Sequence, residues 1–139
     1  MSRTGERECP CRSGSPYAAC CEPLHDNRVQ SVTAEQLMRS RYAAYVLGRL
    51  DHVYRTWHPR TRPAQVEPTH GLTWTGLTIW ATEAGQPGDG EGVVEFEATY
   101  RTPAGPGTLH ERSRFTRRAD RWVYLDGDLV TEPARQADS

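Results

Sequence analysis

Four cysteines fall within 13 residues, as Cys9-Pro10-Cys11 and the adjacent pair Cys20-Cys21, and the chain has no others. No other feature limits the fold as much. Residues 1–31 are otherwise polar, and Arg12-Ser13-Gly14-Ser15-Pro16 separates the two pairs. A segment this poor in apolar side chains cannot pack a core of its own, so another force must hold it. Four thiolates around one ion form a closed tetrahedral site. Ser13, Gly14, Ser15 and Pro16 supply the turn chemistry that brings the pairs together. Zinc is the expected ion, and iron suits the same soft donors. The competing reading is four reactive or buried thiols without a metal. His25 could compete as a ligand, but is expected to be a surface histidine.

The start, Met1-Ser2-Arg3-Thr4-Gly5-Glu6, is polar and leads into no apolar run, so no secretory signal is expected. No stretch is apolar enough to predict a membrane span. A cytoplasmic location is therefore expected, where thiols stay reduced and read as ligands before disulfides. A formal net charge of -1 argues against a globally basic nucleic-acid binder.

Three regions follow: a cysteine knuckle at 1–31, a periodic domain at 32–128 and a frayed tail at 129–139. Thr33 and Gln36 form a capping box, each side chain serving the other's backbone N–H. Ala34, Leu37, Met38, Tyr42, Tyr45 and Val46 then recur at helical spacing, and Gly48 stops the helix. A second short helix is expected from an Asp51 cap to Trp57, before Pro59 and Pro63. The period then changes to two. Strands are expected at 72–80, 93–101, 108–118 and 121–126, with loops at 83–92 and 102–107. Val94, Phe96, Ala98 and Tyr100 share one face of the second strand. Helices first and a meander of strands afterwards predict an α+β fold, with helices on one face of a curved antiparallel sheet.

The cysteine segment resembles the SEC-C motif, whose pattern is Cys-Pro-Cys-x-Ser-Gly, an aromatic position, then Cys-His or Cys-Cys. Cys9-Pro10-Cys11, Ser13-Gly14, Tyr17 and Cys20-Cys21 carry the match, while Arg12 replaces the usual glycine. The resemblance implies a metal knuckle that docks a protein partner. The remainder resembles the YchJ family, through Arg39 to Tyr45, Thr56 to Arg62, Trp74 to Ile79, Val94 to Tyr100, His110 to Phe115 and Trp122 to Gly127. That resemblance implies a cone-shaped nuclear-transport-factor-2-like (cystatin-like) domain, with a pocket between helices and sheet and no assigned reaction.

Arg41 lies on the apolar stripe of the first helix, four residues from Leu37 and Tyr45. A core-facing arginine is rare unless paired. Glu95, Glu97 and Glu111 are candidate partners, and an ion pair is expected in preference to an anion-binding role. Alternation along 108–118 turns Leu109, Glu111, Ser113 and Phe115 inward and His110, Arg112, Arg114 and Thr116 outward. Arg41, His58, Glu111 and Ser113 are thus the candidate pocket residues. An acid/base pair drawn from Arg41, His58 and Glu111 is conceivable, but a satisfied polar core is expected and no catalytic residue is assigned. Arg101, Arg112, Arg114, Arg117, Arg118 and Arg121 could form a basic sheet surface, which Glu95, Glu97 and Asp120 offset.

The expected function is a metal-binding adaptor that docks a protein through its knuckle or holds a small ligand. A small-molecule enzyme and an RNA- or ribosome-associated factor are the alternatives. Because the knuckle offers few apolar residues, residues 32–128 are expected to fold without it.

Overall fold

The computed structural model describes residues 7–67 and 71–130. A single 3-10 turn (Tyr17–Ala19) and a four-residue helix α1 (Glu22–His25) precede helices α2 (Ala34–Leu47) and α3 (Leu50–Arg55). Four strands follow: β1 (Thr73–Ala84), β2 (Glu91–Thr102), β3 (Gly105–Arg118) and β4 (Arg121–Leu129). No helix among the described residues is long and apolar enough to cross a membrane.

Local chemistry sets the helix ends. The Thr33 hydroxyl accepts from the Gln36 N–H at 3.1 Å. The Gln36 side-chain carbonyl accepts from the Val32 N–H at 2.7 Å, one residue before the expected Thr33. Gly48 closes α2 in the left-handed region, at φ 76°. Helix α3 begins at Leu50 and stops at Arg55, so Asp51 is not its cap. Asp51 instead pairs with Arg55, one turn on, at 2.8 Å.

The strands run as an antiparallel meander, β1-β2-β3-β4. Pairing continues to Thr102↔Gly105, so residues 105–107 belong to β3 and not to the expected loop. β4 likewise extends past 126 to Leu129. Residues 131–139 of the expected tail lie outside the described residues. Register shifts in β1 at Trp74/Gly76 and Ile79/Ala81, and between β3 and β4 at Arg114/Phe115, mark bulges that bend and twist the sheet. Beyond α3, the chain runs along the free side of β4. The Tyr124 N–H donates to the Thr56 carbonyl and the His58 N–H to the Tyr124 carbonyl, both at 2.8 Å.

Helix α2 is buried on two sides. One side carries Ala34, Leu37, Met38 and Tyr42 onto Leu77, Val94, Phe96, Ala98, Phe115 and Trp122 of the sheet. The other side buries Ser40, Ala43 and Ala44. Ala43 there meets a second cluster formed by Cys9, Cys11, Tyr17 and Cys21. The small alanine lets the knuckle approach the helix backbone. Val46, expected from spacing on the apolar stripe, is exposed.

His25 is completely buried, which corrects its expected surface position. Its Nε2 faces the Ser40 carbonyl at 2.8 Å, and its Nδ1 faces the Tyr17 hydroxyl at 2.7 Å. A carbonyl only accepts, so Nε2 carries the proton and Nδ1 accepts from Tyr17. The Ser40 hydroxyl donates to the Leu37 carbonyl at 2.8 Å, so it must accept from His52 Nε2 at 2.9 Å. His52 Nδ1 then takes an Arg55 N–H at 3.3 Å. Both rings are therefore neutral Nε2–H tautomers. Arg49 and Arg55 also donate to the His25 carbonyl, each at 3.1 Å.

This network ties the knuckle to α2 and α3, which argues against the expectation of an independent domain. Loss of the knuckle uncovers Tyr17, Leu24 and His25 together with the α2 face beneath them. Stripping the cysteine cluster of any metal with a chelator under reducing conditions is therefore expected to destabilise the whole chain by at least about 3 kcal/mol, the order of two exposed large side chains. Denaturant melts following sheet signal check this; an unchanged midpoint would restore the independent-domain picture.

Acid should act on the same network. Burial, then the proximity of the ionisable His25 and of the Arg55 and Arg41 charges, lowers the His52 pKa to about 3 from 6.5. The unfolded chain therefore takes up this proton first as pH falls. Stability from His52 is intact above pH 6.5 and falls by about 1.4 kcal/mol per unit down to about pH 3. A His52→Gln variant should show a shallower slope in that window. Parallel slopes for variant and wild type would contradict the assignment.

Candidate metal centre and ligand cavity

The knuckle is a miniature hairpin followed by a tight helical turn. Glu8 and Pro16 form an antiparallel bridge, the Cys9 N–H donates to the Ser15 carbonyl at 2.9 Å, and the Tyr17 N–H to the Arg7 carbonyl at 2.9 Å. The 3-10 turn then returns the chain so that Cys20 and Cys21 face Cys9 and Cys11. All four sulfurs lie within 4.8 Å of one another. Cys11 to Cys20 is 3.6 Å and Cys20 to Cys21 is 3.9 Å. An ion with metal–sulfur bonds of about 2.3 Å needs tetrahedral sulfurs about 3.8 Å apart, so the donor set fits a metal. Cys9, Cys11 and Cys21 are buried and Cys20 is half-buried, with the Ser13 hydroxyl 3.1 Å from its sulfur.

The thiols are strongly coupled. Thiol donation from Cys21, then Cys9, holds the Cys11 pKa far below its ordinary value. The same interaction pushes Cys21 up, and Cys9 to about 12. Such thiols lose their protons when a cation compensates the charge.

A cavity of about 330 Å³ lies between α2 and the sheet. Tyr42, Tyr45, Trp57, Trp74, Phe96, Phe115 and Tyr124 form aromatic walls, and Arg41, Glu111 and Ser113 are its charged and hydroxyl groups. Arg41 is only 7% exposed. Its Nη1 donates to the Val53 carbonyl at 2.9 Å and to Thr56 Oγ1 at 2.8 Å. Its guanidinium lies over the rings of Trp57 and Tyr124, with centroids at 5.1 and 4.7 Å. Burial lowers its pKa to about 10, which leaves it cationic at neutral pH. Glu111 Oε2 accepts from the Ser113 hydroxyl at 2.6 Å and the Tyr124 hydroxyl at 3.1 Å. Burial, then the Glu111 charge, raises the Tyr124 pKa, so that phenol keeps its proton and donates.

Residues 33–127 match the family model described as YchJ, middle NTF2-like domain. The chain belongs to this family. A UPF0225 protein of Streptomyces coelicolor is 47% identical over 122 residues, covering 88% of this chain and 95% of that one. A UPF0225 protein of Deinococcus radiodurans is 48% identical over 121 residues, 86% of this chain and 88% of that one. Among solved structures, the solution structure of RPA3114, a SEC-C motif containing protein from Rhodopseudomonas palustris, superposes with a TM-score of 0.79 at 31% identity. It covers 88% of this chain and 98% of its own. The crystal structure of a SEC-C motif containing protein from Psychrobacter arcticus gives 0.72 at 27% identity, covering 88% and 82%.

Within this YchJ-family chain, Arg41, Glu111 and Ser113 share the cavity and His58 does not. His58 follows Trp57 in an extended segment, so when Trp57 enters the cavity its neighbour points away. The His58 Nδ1 accepts from the Arg60 N–H at 3.0 Å instead. The expected ion pair of Arg41 is absent among the described residues. Glu95 is held by His110 and Arg112, and Glu97 accepts from the Trp80 indole, all through the opposite face of the sheet. Glu111 influences Arg41 only through space. Three of the six sheet arginines pair with carboxylates: Arg112 with Glu83 and Glu95, Arg114 with Asp126 and Asp128, and Arg117 with Asp120.

Sequence reasoning missed Trp57 and Tyr124 as cavity residues and Gly127 as the position that admits the Glu111 carboxylate. A side chain at Gly127 would collide with Glu111 Oε2. An Asp-Gly pair inside a strand was the available signal, since glycine there marks a close approach.

With no carboxylate among the described residues bonded to Arg41, its removal strands no charge, only the Val53 carbonyl and the Thr56 hydroxyl. Replacing a buried charge with an apolar residue of similar shape is often nearly neutral. Arg41→Met is therefore expected to cost less than about 1.5 kcal/mol, and Arg41→Ala more, about 3 kcal/mol, through the space it opens. Urea melts of both variants check the order. Equal, large losses would show an ion pair.

Proposed function

We propose that this protein binds a small organic ligand in the cavity of its NTF2-like domain, while a zinc ion in the four-cysteine knuckle holds the wall of that domain in place. The observation that carries the reading is the aromatic-walled cavity containing a buried arginine with no carboxylate bonded to it. Cavities of this size, apolar with few convergent polar groups, suit small molecules. Zinc is favoured because four thiolates at near-tetrahedral spacing complete its coordination. A closed site of that kind leaves no open position for a substrate, so the ion's role is structural. Iron would occupy the same donors. A docking role for the knuckle has weaker support, since its Cys9, Cys11, Tyr17 and Cys21 face is packed on α2.

Native mass spectrometry of reduced, full-length protein tests both halves. The expected spectrum shows about one zinc per chain, lost in Cys9→Ser, and capture of a neutral aromatic probe such as phenol, lost when Leu109→Trp fills the cavity. Absence of zinc and iron would remove the metal assignment. Failure to capture the probe would remove the cavity assignment.

A further inference from the structure

We infer that the ligand of this cavity is a small aromatic carboxylate that also carries a hydroxyl or amino group, an inference that rests on the ligand-binding reading above. The acid end is specified by Arg41. Its Nη1 is used by Val53 and Thr56, but no acceptor among the described residues meets Nε or Nη2. Those two N–H groups lie along one edge of the guanidinium, the edge that binds a carboxylate with two parallel hydrogen bonds. The two aromatic faces and the two Nη1 bonds fix the plane of the group before any ligand arrives. A buried cation with a free, oriented donor edge calls for an anion.

The ligand's donor is specified by Glu111, which is bonded to the hydroxyl of the same Tyr124 whose ring lies under Arg41. Both of its donors, Ser113 and Tyr124, approach Oε2, and none among the described residues approaches Oε1. A carboxylate oxygen is acceptor-only when ionised, so the matching ligand atom carries a hydrogen. The same negative charge disfavours a second anionic group there. The ring follows from the aromatic walls, and about 330 Å³ holds a single small ring system.

Isothermal titration of metal-loaded, full-length protein with para-hydroxybenzoate, para-hydroxybenzamide, benzoate and phenol tests this. The hydroxy acid should bind about 10- to 100-fold more tightly than its neutral amide, the scale of a charge-assisted bidentate contact. Arg41→Met should erase that preference yet still bind phenol. Glu111→Gln should narrow the preference for para-hydroxybenzoate over benzoate. Equal affinity of acid and amide in the wild type would overturn the carboxylate assignment, and phenol binding in the same experiment would leave the ligand-binding reading standing. An acid preference that survives Arg41→Met would place the anion elsewhere and also overturn it. No heat with any probe, phenol included, would overturn both.

Discussion

The carbonyl of Ser40, in the middle of α2, accepts the buried N–H of His25, and the two halves of the molecule are joined around that bond. On one side of α2 lies the sheet, on the other the knuckle. Tyr17, through His25, bonds to the Ser40 carbonyl, and Arg55, through His52, to its hydroxyl, so that one residue of α2 joins the knuckle to α3. In such a network each partner must be present, because a buried polar atom left unpaired costs more than its hydrogen bond contributes. The ordering of the cysteine segment therefore supports the backbone of the helix that carries Arg41.

That coupling would give a metal in the knuckle a role beyond its own ligands. Arg41 depends on the pitch of α2 for its height and on α3 for its fixed plane, through Val53 and Thr56. The two rings over it come from the segment after α3 and from β4. Four pieces of chain thus converge on one cation, with cation–π contacts replacing the carboxylate expected for a buried arginine. The protein has arranged its stabilisation of Arg41 so that one donor edge is left over.

Features governed by local chemistry or period were legible in the sequence. The Thr33–Gln36 cap, the left-handed stop at Gly48, the buried face of β2 and the phase of β3 all follow from neighbouring residues. The β3 phase alone turned Glu111 and Ser113 toward the cavity. The four cysteines were legible because two thiol pairs this close together, in a segment with no core of its own, suit a shared cation and little else. What failed was long-range. His25 belongs to a four-residue helix with no periodic signal, and its acceptor is the Ser40 carbonyl, which leaves no trace in residue identity. The partners of Arg41 are a backbone carbonyl, a hydroxyl and two ring faces, so acidic residues in the sequence could not point to them. His58 falls outside the cavity because the residues after α3 pair with β4 as a short extended segment, and that pairing decides which of Trp57 and His58 looks inward. The apolar pattern of α2 also shows only one stripe, since a second buried side made of serine and alanine does not register as hydrophobic.

Arg12 occupies the position where the motif usually has glycine, and its backbone sits at φ 69°, in the left-handed region. Its guanidinium donates to the Thr75 carbonyl of β1 at 2.6 Å. β1 is the outer strand of the meander at one end, and β4, at the other, is covered by the segment around Trp57. Unpaired carbonyls on an outer strand are templates for a strand from another molecule. Arg12 therefore places a charged side chain from the knuckle against an edge that would otherwise recruit a neighbour. A knuckle that lets go would release this guard as well and leave the Thr75 carbonyl open to a strand from another molecule.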